Sequence, residues 1–179
     1  MGKKVVVIST SLRCGSNSEM LAKYFAKGAE EAGNSVTFIS LKDKKIGFCL
    51  GCLSCQKKGS CVIKDDAIEI EQEVMNADVV VFSTPIYYYE MSGQMKTLLD
   101  RMNSLYAKDY KFRDVYMLSV AAEDEESTPK QAESGLKGWI ECFENVKLKG
   151  TLFCGNVNKP YDIDGNNKLN DAYEMGKNI

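Results

Sequence analysis

The sequence contains no histidine among its 179 residues. This absence excludes catalysis by Ser-His-Asp or Cys-His groups, and it excludes metal sites that are built on imidazole. The chemistry of the chain must therefore come from a bound cofactor, from carboxylates, from tyrosine or lysine, or from cysteine.

Long apolar runs and an excess of positive charge are also missing. No apolar stretch approaches the ~20 residues of a membrane span, and Met1–Lys4 leads directly into a predicted strand rather than a signal peptide. The net charge of −2 offers little attraction to nucleic acid or to an anionic membrane. With 44% hydrophobic and 27% charged residues, we expect a single cytoplasmic domain over residues 1–179, without nucleic-acid or membrane partners.

Short, continuous apolar runs alternate with helical patterns along the chain. Residues 5–8 and 79–82 are such runs, and strands of this kind must be covered on both faces, which indicates a parallel sheet flanked by helices. The patterns predict further strands at 36–39, 115–120 and 151–154, a helix from about residue 20 to a C-cap at Gly33-Asn34, and helices near 66–76, 92–105, 129–145 and 166–177. The alternation predicts an α/β, doubly wound fold whose five-stranded parallel sheet has the order 2-1-3-4-5. In that order the ligand crevice lies at the carboxyl ends of strands 1 and 3.

A polar segment, residues 9–18, follows the first predicted strand and opens a helix. Unpaired N–H groups and the positive end of a helix dipole face such a position, so it favours an anion. Gly15 permits a positive φ or a close approach of backbone, and Arg13 can add a charge-assisted contact. The segment matches neither G-x-G-x-x-G nor G-x-x-x-x-G-K-[ST]. The groups that could donate to phosphate oxygens are the backbone N–H groups and the side chains of Ser9, Ser11, Arg13, Ser16, Asn17 and Ser18. The alternative is a polar turn with an ordinary N-cap.

A second segment, residues 84–89, follows the third predicted strand and reads Thr-Pro-Ile-Tyr-Tyr-Tyr. Pro85 fixes a turn, and tyrosine rings pack well on a flat ring system while their hydroxyls can bond its polar edge. The alternative is a hydrophobic loop that is buried against a neighbouring subunit. A phosphate loop and an aromatic wall at neighbouring strand ends predict a site for flavin mononucleotide, FMN.

The two segments together resemble the NAD(P)H-dependent FMN reductase group of the flavodoxin-like superfamily. The motifs are S-x-R-x-x-S-N-S after strand 1 and P-I-Y-Y-Y-x-M-S-G-Q-M-K-x-x-L-D-R after strand 3, and the similarity spans residues 3–120. The resemblance implies that Ser11, Arg13, Ser16, Asn17 and Ser18 hold the FMN phosphate, and that Pro85, Ile86, Tyr87 and Tyr88 border the isoalloxazine. It also implies a third flavin-contacting loop at 121–124, a homodimer or homotetramer, and roles in helix packing and subunit contacts for Lys96, Asp100 and Arg101. Residues 42–61 and 87–110 are our candidates for the subunit contact.

The seven cysteines are not expected to form a disulfide framework in a cytoplasmic chain, so metal binding or redox work is favoured. Four of them lie within thirteen residues as Cys49-x2-Cys52-x2-Cys55-x5-Cys61. Such spacing lets one loop wrap a cubane, and it suits zinc less well. It resembles that of the iron–sulfur flavoproteins, which implies a [4Fe–4S] cluster on these thiols. The alternative is a lid whose thiols are free, oxidised or facing a substrate. Cys142 and Cys154 lie in apolar patterns and are predicted to be core residues.

Three functional hypotheses follow. The first is an FMN-dependent oxidoreductase that passes electrons from NAD(P)H to a flavin, a quinone or another small acceptor. The second is an iron–sulfur flavoprotein-type electron carrier that hands electrons to a ferredoxin-like partner. The third is a regulatory receiver-like domain, which is disfavoured because Ser9 and Ser11 stand where an acidic Mg²⁺ pocket would be required.

Overall fold

A parallel β-sheet forms the centre of the computed structural model, which describes residues 2–179. The strands are β1 (Lys4–Ser9), β2 (Ser35–Ser40), β3 (Val79–Tyr87), β4 (Glu90–Met91), β5 (Asp114–Val120) and β6 (Lys147–Cys154). The five longer strands are parallel in the order β2-β1-β3-β5-β6, and the two-residue β4 pairs antiparallel with β3. The predicted flavodoxin-like order is confirmed, and the β3–β4 hairpin is an addition that the sequence pattern did not indicate.

Six α-helices connect and cover the strands. They are α1 (Asn17–Glu31), α2 (Ser54–Lys58), α3 (Ala67–Asn76), α4 (Gly93–Arg101), α5 (Lys130–Ile140) and α6 (Asn167–Lys177), and 3₁₀ turns occupy Leu41–Asp43 and Met102–Ala107. The short α2 was not predicted. Among residues 2–179, none of the helices has the length and apolarity that crossing a membrane requires.

Two predicted helices are shorter than expected. The helix predicted over 92–105 ends at Arg101 and continues as the 3₁₀ turn, in which the hydroxyl of Ser104 bonds the buried carboxylate of Glu71. The helix predicted over 129–145 ends at Ile140, because the chain turns there and packs Phe143 against Trp139 at 4.8 Å between ring centroids. Cys142 lies in this turn and is exposed, so its prediction as a core residue is wrong, whereas Cys154 is buried as predicted.

The central strands β1 and β3 are buried on both faces, as their apolar runs predict. Alternate side chains of β1 and β3 point to opposite sides, where α3, α4 and α5 cover one face and α1 and α6 cover the other. Within β3, only Tyr87 is exposed. This sandwich of helix, sheet and helix leaves the carboxyl edge of the sheet as the place where loops from several strands can meet.

Helices α1 and α6 approach each other so closely that glycine is required at their contact. A Cβ atom on Gly176 would lie 2.0 Å from the carbonyl oxygen of Phe25, and one on Gly28 would lie 2.0 Å from that of Tyr173. Both obstacles are backbone atoms of the neighbouring helix, so a side chain could be accommodated only by moving a helix.

We predict opposite effects for two glycine-to-alanine substitutions in helices. Gly176→Ala should lower the free energy of unfolding by about 1–3 kcal/mol because it overpacks the contact between α1 and α6. Gly138→Ala, in α5, meets no heavy atom within 4 Å and should raise the free energy of unfolding by up to ~1 kcal/mol because alanine favours the helix. Urea denaturation of both variants provides the measurement, and equal effects would contradict the packing argument.

Candidate functional site

A pocket opens at the carboxyl edge of the sheet, where four segments of chain meet. The segments are the first loop after β1, the end of β3, the end of β5 and the segment that follows β6. The lining residues are Ser11, Arg13, Ser16, Asn17, Pro85, Ile86, Tyr87, Val120, Ala121, Ala122, Val157 and Asn158. The fold therefore brings together the two segments that the sequence analysis singled out.

The first loop presents free N–H groups at the start of α1. Ser16 is the N-cap, and its hydroxyl accepts from the N–H of Glu19 at 3.3 Å. Within residues 2–179, no protein group accepts from the backbone N–H groups of Gly15–Ser18. Gly15 has a φ of +66°, a conformation that glycine adopts without strain. These N–H groups and the positive end of the helix dipole form a preformed site for an anion.

Seven of the ten predicted flavin contacts line the pocket, and three lie outside its lining. Ser9 is buried at the end of β1, and its hydroxyl has no hydrogen-bond partner among the described residues. Ser18 is buried, with its hydroxyl 3.0 Å from that of Ser16. Tyr88 is fully exposed at the tip of the β3–β4 hairpin. Their roles as ligand contacts stay predictions.

Buried hydroxyl groups join the ends of β1 and β3 behind the pocket. The Thr10 hydroxyl donates to the Ser83 carbonyl at 3.1 Å and lies 3.0 Å from the Ser92 hydroxyl. The Ser83 hydroxyl donates to the Ser18 carbonyl at 2.7 Å, and the N–H of Ser92 donates to the Thr84 hydroxyl at 3.0 Å. These contacts connect the first loop, β3 and the N-cap of α4. The sequence analysis missed this role, although the run of Ser and Thr at both strand ends was a visible signal.

The β3–β4 hairpin reaches toward the third loop, which follows β5. Tyr88 and Tyr89 have φ values of +50° and +66°, so both turn residues are left-handed. The Tyr89 hydroxyl donates to the Glu123 carboxylate at 3.4 Å, and this hydrogen bond raises the pKa of Tyr89 above its ordinary value. Ala121 and Ala122 line the pocket, at the position where the resemblance placed a third contacting loop.

The segment after β6 is a fourth wall that the sequence analysis did not predict. We call residues 155–163 the strap. Val157 and Asn158 of the strap line the pocket, and the Arg13 side chain donates to the Asn158 carbonyl at 2.5 Å. A signal was present in the sequence, because glycine, asparagine and proline in G-N-V-N-K-P follow a strand of the same sheet.

The four clustered cysteines lie in an irregular segment between β2 and α3. Cys49 and Cys52 are exposed, Cys55 is buried and Cys61 is half-buried. Over residues 2–179, no three or more cysteine or carboxylate side chains converge in an arrangement that could hold a metal ion. As placed here, the thiols therefore have the donor chemistry for a cluster but not its geometry.

Arg101 of α4 anchors this cysteine segment from inside the protein. Its side chain is buried, and its two terminal nitrogens bond the carboxylate of Asp65 at 2.6 and 2.8 Å. The same nitrogens donate to the Gly47 and Ile63 carbonyls at 2.8 and 3.2 Å, and Nη2 lies 3.4 Å from the Cys61 sulfur. The predicted part of Arg101 in packing is thus an anchor for the cysteine segment.

The charge state of Asp65 follows from these contacts. Burial acts to raise the pKa of Asp65, but hydrogen bonds from Arg101 and from the N–H of Gly47 outweigh it and hold the pKa below its ordinary value of 3.8. Asp65 therefore stays ionised, and the ion pair stays formed, throughout the neutral and mildly acidic range.

Comparison with known proteins identifies the family of this chain. The family model described as NADPH-dependent FMN reductase matches residues 3–151. The chain belongs to this family. A Bacillus subtilis protein that is named as an NAD(P)H-dependent FMN-containing oxidoreductase is 27% identical over 176 residues, which cover 89% of this chain and 88% of that protein.

Iron–sulfur flavoproteins are also similar to this FMN reductase family member. One from Archaeoglobus fulgidus is 37% identical over 100 residues, 56% of this chain and 45% of that protein. One from Methanocaldococcus jannaschii is 37% identical over 102 residues, 57% of this chain and 53% of that protein. The matched stretch spans about half the length of these curated relatives.

Solved structures share the fold over nearly the whole chain. The NAD(P)H:quinone oxidoreductase from Methanothermobacter marburgensis superposes with a TM-score of 0.77 at 18% identity, covering 99% of each chain. An azoreductase from Bacillus anthracis gives 0.73 at 15% identity, covering 99% of this chain and 100% of that one. At these identities the likeness establishes the flavodoxin-like fold.

The pocket residues fit the cofactor that the family implies. FMN carries one terminal phosphate and a flat ring, and the free N–H groups of residues 15–18 match the phosphate in charge and hydrogen bonding. Pro85, Ile86 and Tyr87 supply a wall at the other strand end. The buried hydroxyl of Ser9, which lacks a partner among the described residues, lies at the start of the same loop.

We predict that the Asp65–Arg101 pair stabilises the protein in a pH-dependent way. Because the folded-state pKa of Asp65 is lowered, its contribution is fully present above pH ~3.8 and is lost as the pH falls through the lower folded value. Asp65→Asn should reduce the free energy of unfolding at pH 7 by about 3–5 kcal/mol, since Arg101 is left buried and unpaired. The difference in the free energy of unfolding between wild type and Asp65→Asn should become smaller as the pH falls below ~3.8.

Asp100→Asn is the matched control for this prediction. Asp100 pairs with Lys96 at 2.7 Å, but both side chains are about half exposed, so its loss should cost under ~1 kcal/mol. Urea denaturation between pH 3 and 7 measures the free energy of unfolding of both variants. A cost for Asp65→Asn no greater than that for Asp100→Asn would contradict the anchoring role.

Proposed function

We propose that the protein is an FMN-dependent oxidoreductase that passes electrons from NAD(P)H through bound FMN to a flavin, a quinone or another small acceptor. The observation that carries the proposal is the set of unpaired N–H groups at Gly15–Ser18. They belong to a loop whose residues Ser16 and Asn17 line a pocket together with Pro85–Tyr87. Membership of the NADPH-dependent FMN reductase family supports the same conclusion.

The chain's own residues would bind and orient the cofactor. The N–H groups of residues 15–18, the hydroxyls of Ser11 and Ser16 and the guanidinium of Arg13 would hold the phosphate. Pro85, Ile86 and Tyr87 would border the ring on one side and Ala121 and Ala122 on another. When bound, FMN supplies the redox chemistry by accepting hydride from the nicotinamide and releasing electrons to the acceptor. The absence of histidine agrees with a reaction that requires no side-chain acid or base.

A second copy of the chain would complete the site. Exposed apolar side chains lie beside the pocket and on the cysteine segment, with Phe48 79%, Leu50 71%, Tyr88 100% and Leu12 48% exposed. The flavin face would be covered if these side chains pack against a neighbour in a homodimer or homotetramer. Sedimentation velocity reads the mass directly, and a single species of 19.9 kDa would contradict this arrangement.

We predict that the protein binds FMN and that Arg13 contributes to the affinity. Arg13→Gln should weaken FMN binding by roughly 10–100-fold, because a charge-assisted hydrogen bond to phosphate is removed. Lys23→Gln is the control, since Lys23 is an exposed cation on α1 that pairs with Glu19 and should leave the affinity unchanged. Quenching of FMN fluorescence by the apoprotein measures both. Wild-type protein that neither quenches FMN nor oxidises NAD(P)H with it would overturn the proposed function.

A second candidate function is that of an electron carrier with a [4Fe–4S] cluster and a ferredoxin-like partner. It is favoured by the spacing of Cys49, Cys52, Cys55 and Cys61 and by the names of the iron–sulfur flavoproteins that this chain resembles. The cysteine segment would have to rearrange to bring the four sulfurs together, because they do not converge as placed.

Iron content separates the two candidates. For the electron carrier we expect about four irons and matching acid-labile sulfide per chain after anaerobic purification, as a cubane held by four cysteines requires. Cys52→Ser should then reduce the iron content sharply, whereas Cys142→Ser, an exposed thiol outside the segment, should leave it unchanged. Flavin-containing protein without iron that turns over NAD(P)H rapidly would support the reductase and reject the carrier.

A further inference from the structure

The strap is tied to the first loop by four hydrogen bonds. The Arg13 side chain donates to the Asn158 carbonyl at 2.5 Å, and the Asn17 amide donates to the Lys159 carbonyl at 2.9 Å. In the other direction, the N–H of Tyr161 donates to the Gly15 carbonyl at 3.0 Å, and the N–H of Ile163 donates to the Asn17 side chain at 3.3 Å. These four contacts involve Arg13, Gly15 and Asn17 of the first loop, so the strap runs beside the whole anion site.

The side chain of Tyr161 closes this contact. A Cβ atom on Gly15 would lie 2.5 Å from the Tyr161 ring, so the ring packs directly on the backbone of the first loop. Tyr161 itself has a φ of +66°, which a tyrosine adopts only with strain. The strained turn is held by the Asp162 carboxylate, which accepts from the N–H groups of Asn158 and Lys159 at 2.9 and 2.5 Å.

The opposite end of the strap is joined to the third loop and not to residues 85–89. The N–H of Val157 donates to the Ala121 carbonyl at 3.0 Å, and the Asn156 amide donates to Asp124 at 2.9 Å. Within the described residues 2–179, no hydrogen bond joins the strap to residues 85–89. The strap therefore encloses the phosphate end of the pocket and leaves the wall formed by residues 85–89 free. It also lies beyond residues 3–151, the part that the family model matches.

From this enclosure we infer that the strap is a specificity-determining element, which restricts the site to ligands that end in a phosphate monoester. FMN ends at its phosphate. FAD continues through a second phosphate to an adenosine, and that extension requires room beyond the first loop, where the Tyr161 ring and the Asn158–Ile163 backbone lie. The inference rests on the proposed function, because it assumes that the phosphate of a flavin occupies the first loop.

The test compares the affinities of FMN and FAD for the apoprotein. Tyr161→Gly removes the ring and relieves the positive φ, so it should open the strap without a loss of folding. Asn145→Gly is the matched control, because Asn145 also has a positive φ, of 60°, but lies in the turn after α5. Wild type and Asn145→Gly should bind FMN at least roughly 100-fold more tightly than FAD, and Tyr161→Gly should reduce this ratio by about tenfold or more, mainly through tighter FAD binding.

A second variant tests the same role of the strap in case Tyr161→Gly does not fold. Asp162→Ala releases the turn from its other side and should shift the FMN-to-FAD ratio in the same direction. Equal affinities of wild type for FMN and FAD, or a ratio that neither variant changes, would overturn the role of the strap while leaving the FMN function intact. Absence of binding for both flavins would overturn the role of the strap and the proposed function together.

Discussion

Buried hydroxyl groups hold the first loop and the end of β3 in fixed positions at the carboxyl edge of the sheet. Thr10, Ser83 and Ser92 are fully buried. Leaving one of their hydroxyls without a hydrogen-bond partner would therefore cost more free energy than a formed hydrogen bond contributes to stability. Because these partners come from the end of β1, the end of β3 and the N-cap of α4, the anion site and the ring wall cannot shift independently. The geometry of the pocket therefore depends on residues that do not face the pocket as well as on those that line it.

In the cysteine segment, a buried ion pair holds the chain in place as the buried hydroxyls do at the pocket. The cysteine segment contains few buried apolar residues and only one short helix, so packing alone does not define its path. Arg101 fixes the path of the segment instead, because its guanidinium bonds one carboxylate and two carbonyls there. The segment is thus fixed at its base, near Gly47 and Asp65, while Cys49 and Cys52 remain exposed at its outer part.

The sequence was informative where local patterns decide the structure. Apolar runs such as 5–8 and 79–82 predicted strands of a parallel sheet that is covered on both faces. The alternation of strands with helices predicted the doubly wound order. The polar start of α1 was recognised because capping acts over a few residues. The prediction that Pro85 fixes a turn is wrong, because Pro85 lies within β3 and pairs with Val120, and the turn falls at Tyr88 and Tyr89. The strap was missed because its place depends on partners some 145 positions away, as in the bond between Arg13 and Asn158. The end of α5 was missed because tertiary packing of Phe143 overrides a favourable helical pattern.

The route of the chain after β6 makes the carboxyl-terminal segment part of the binding thermodynamics. The strap leads directly into α6, α6 packs on α1 through Gly28 and Gly176, and α1 begins at the anion site. A ligand that binds only the docked arrangement shifts the population toward it by mass action, in proportion to its concentration over its dissociation constant. Proteolytic release of the last helix is therefore expected to become slower as the pocket fills, because the ligand favours the arrangement in which α6 is docked on α1.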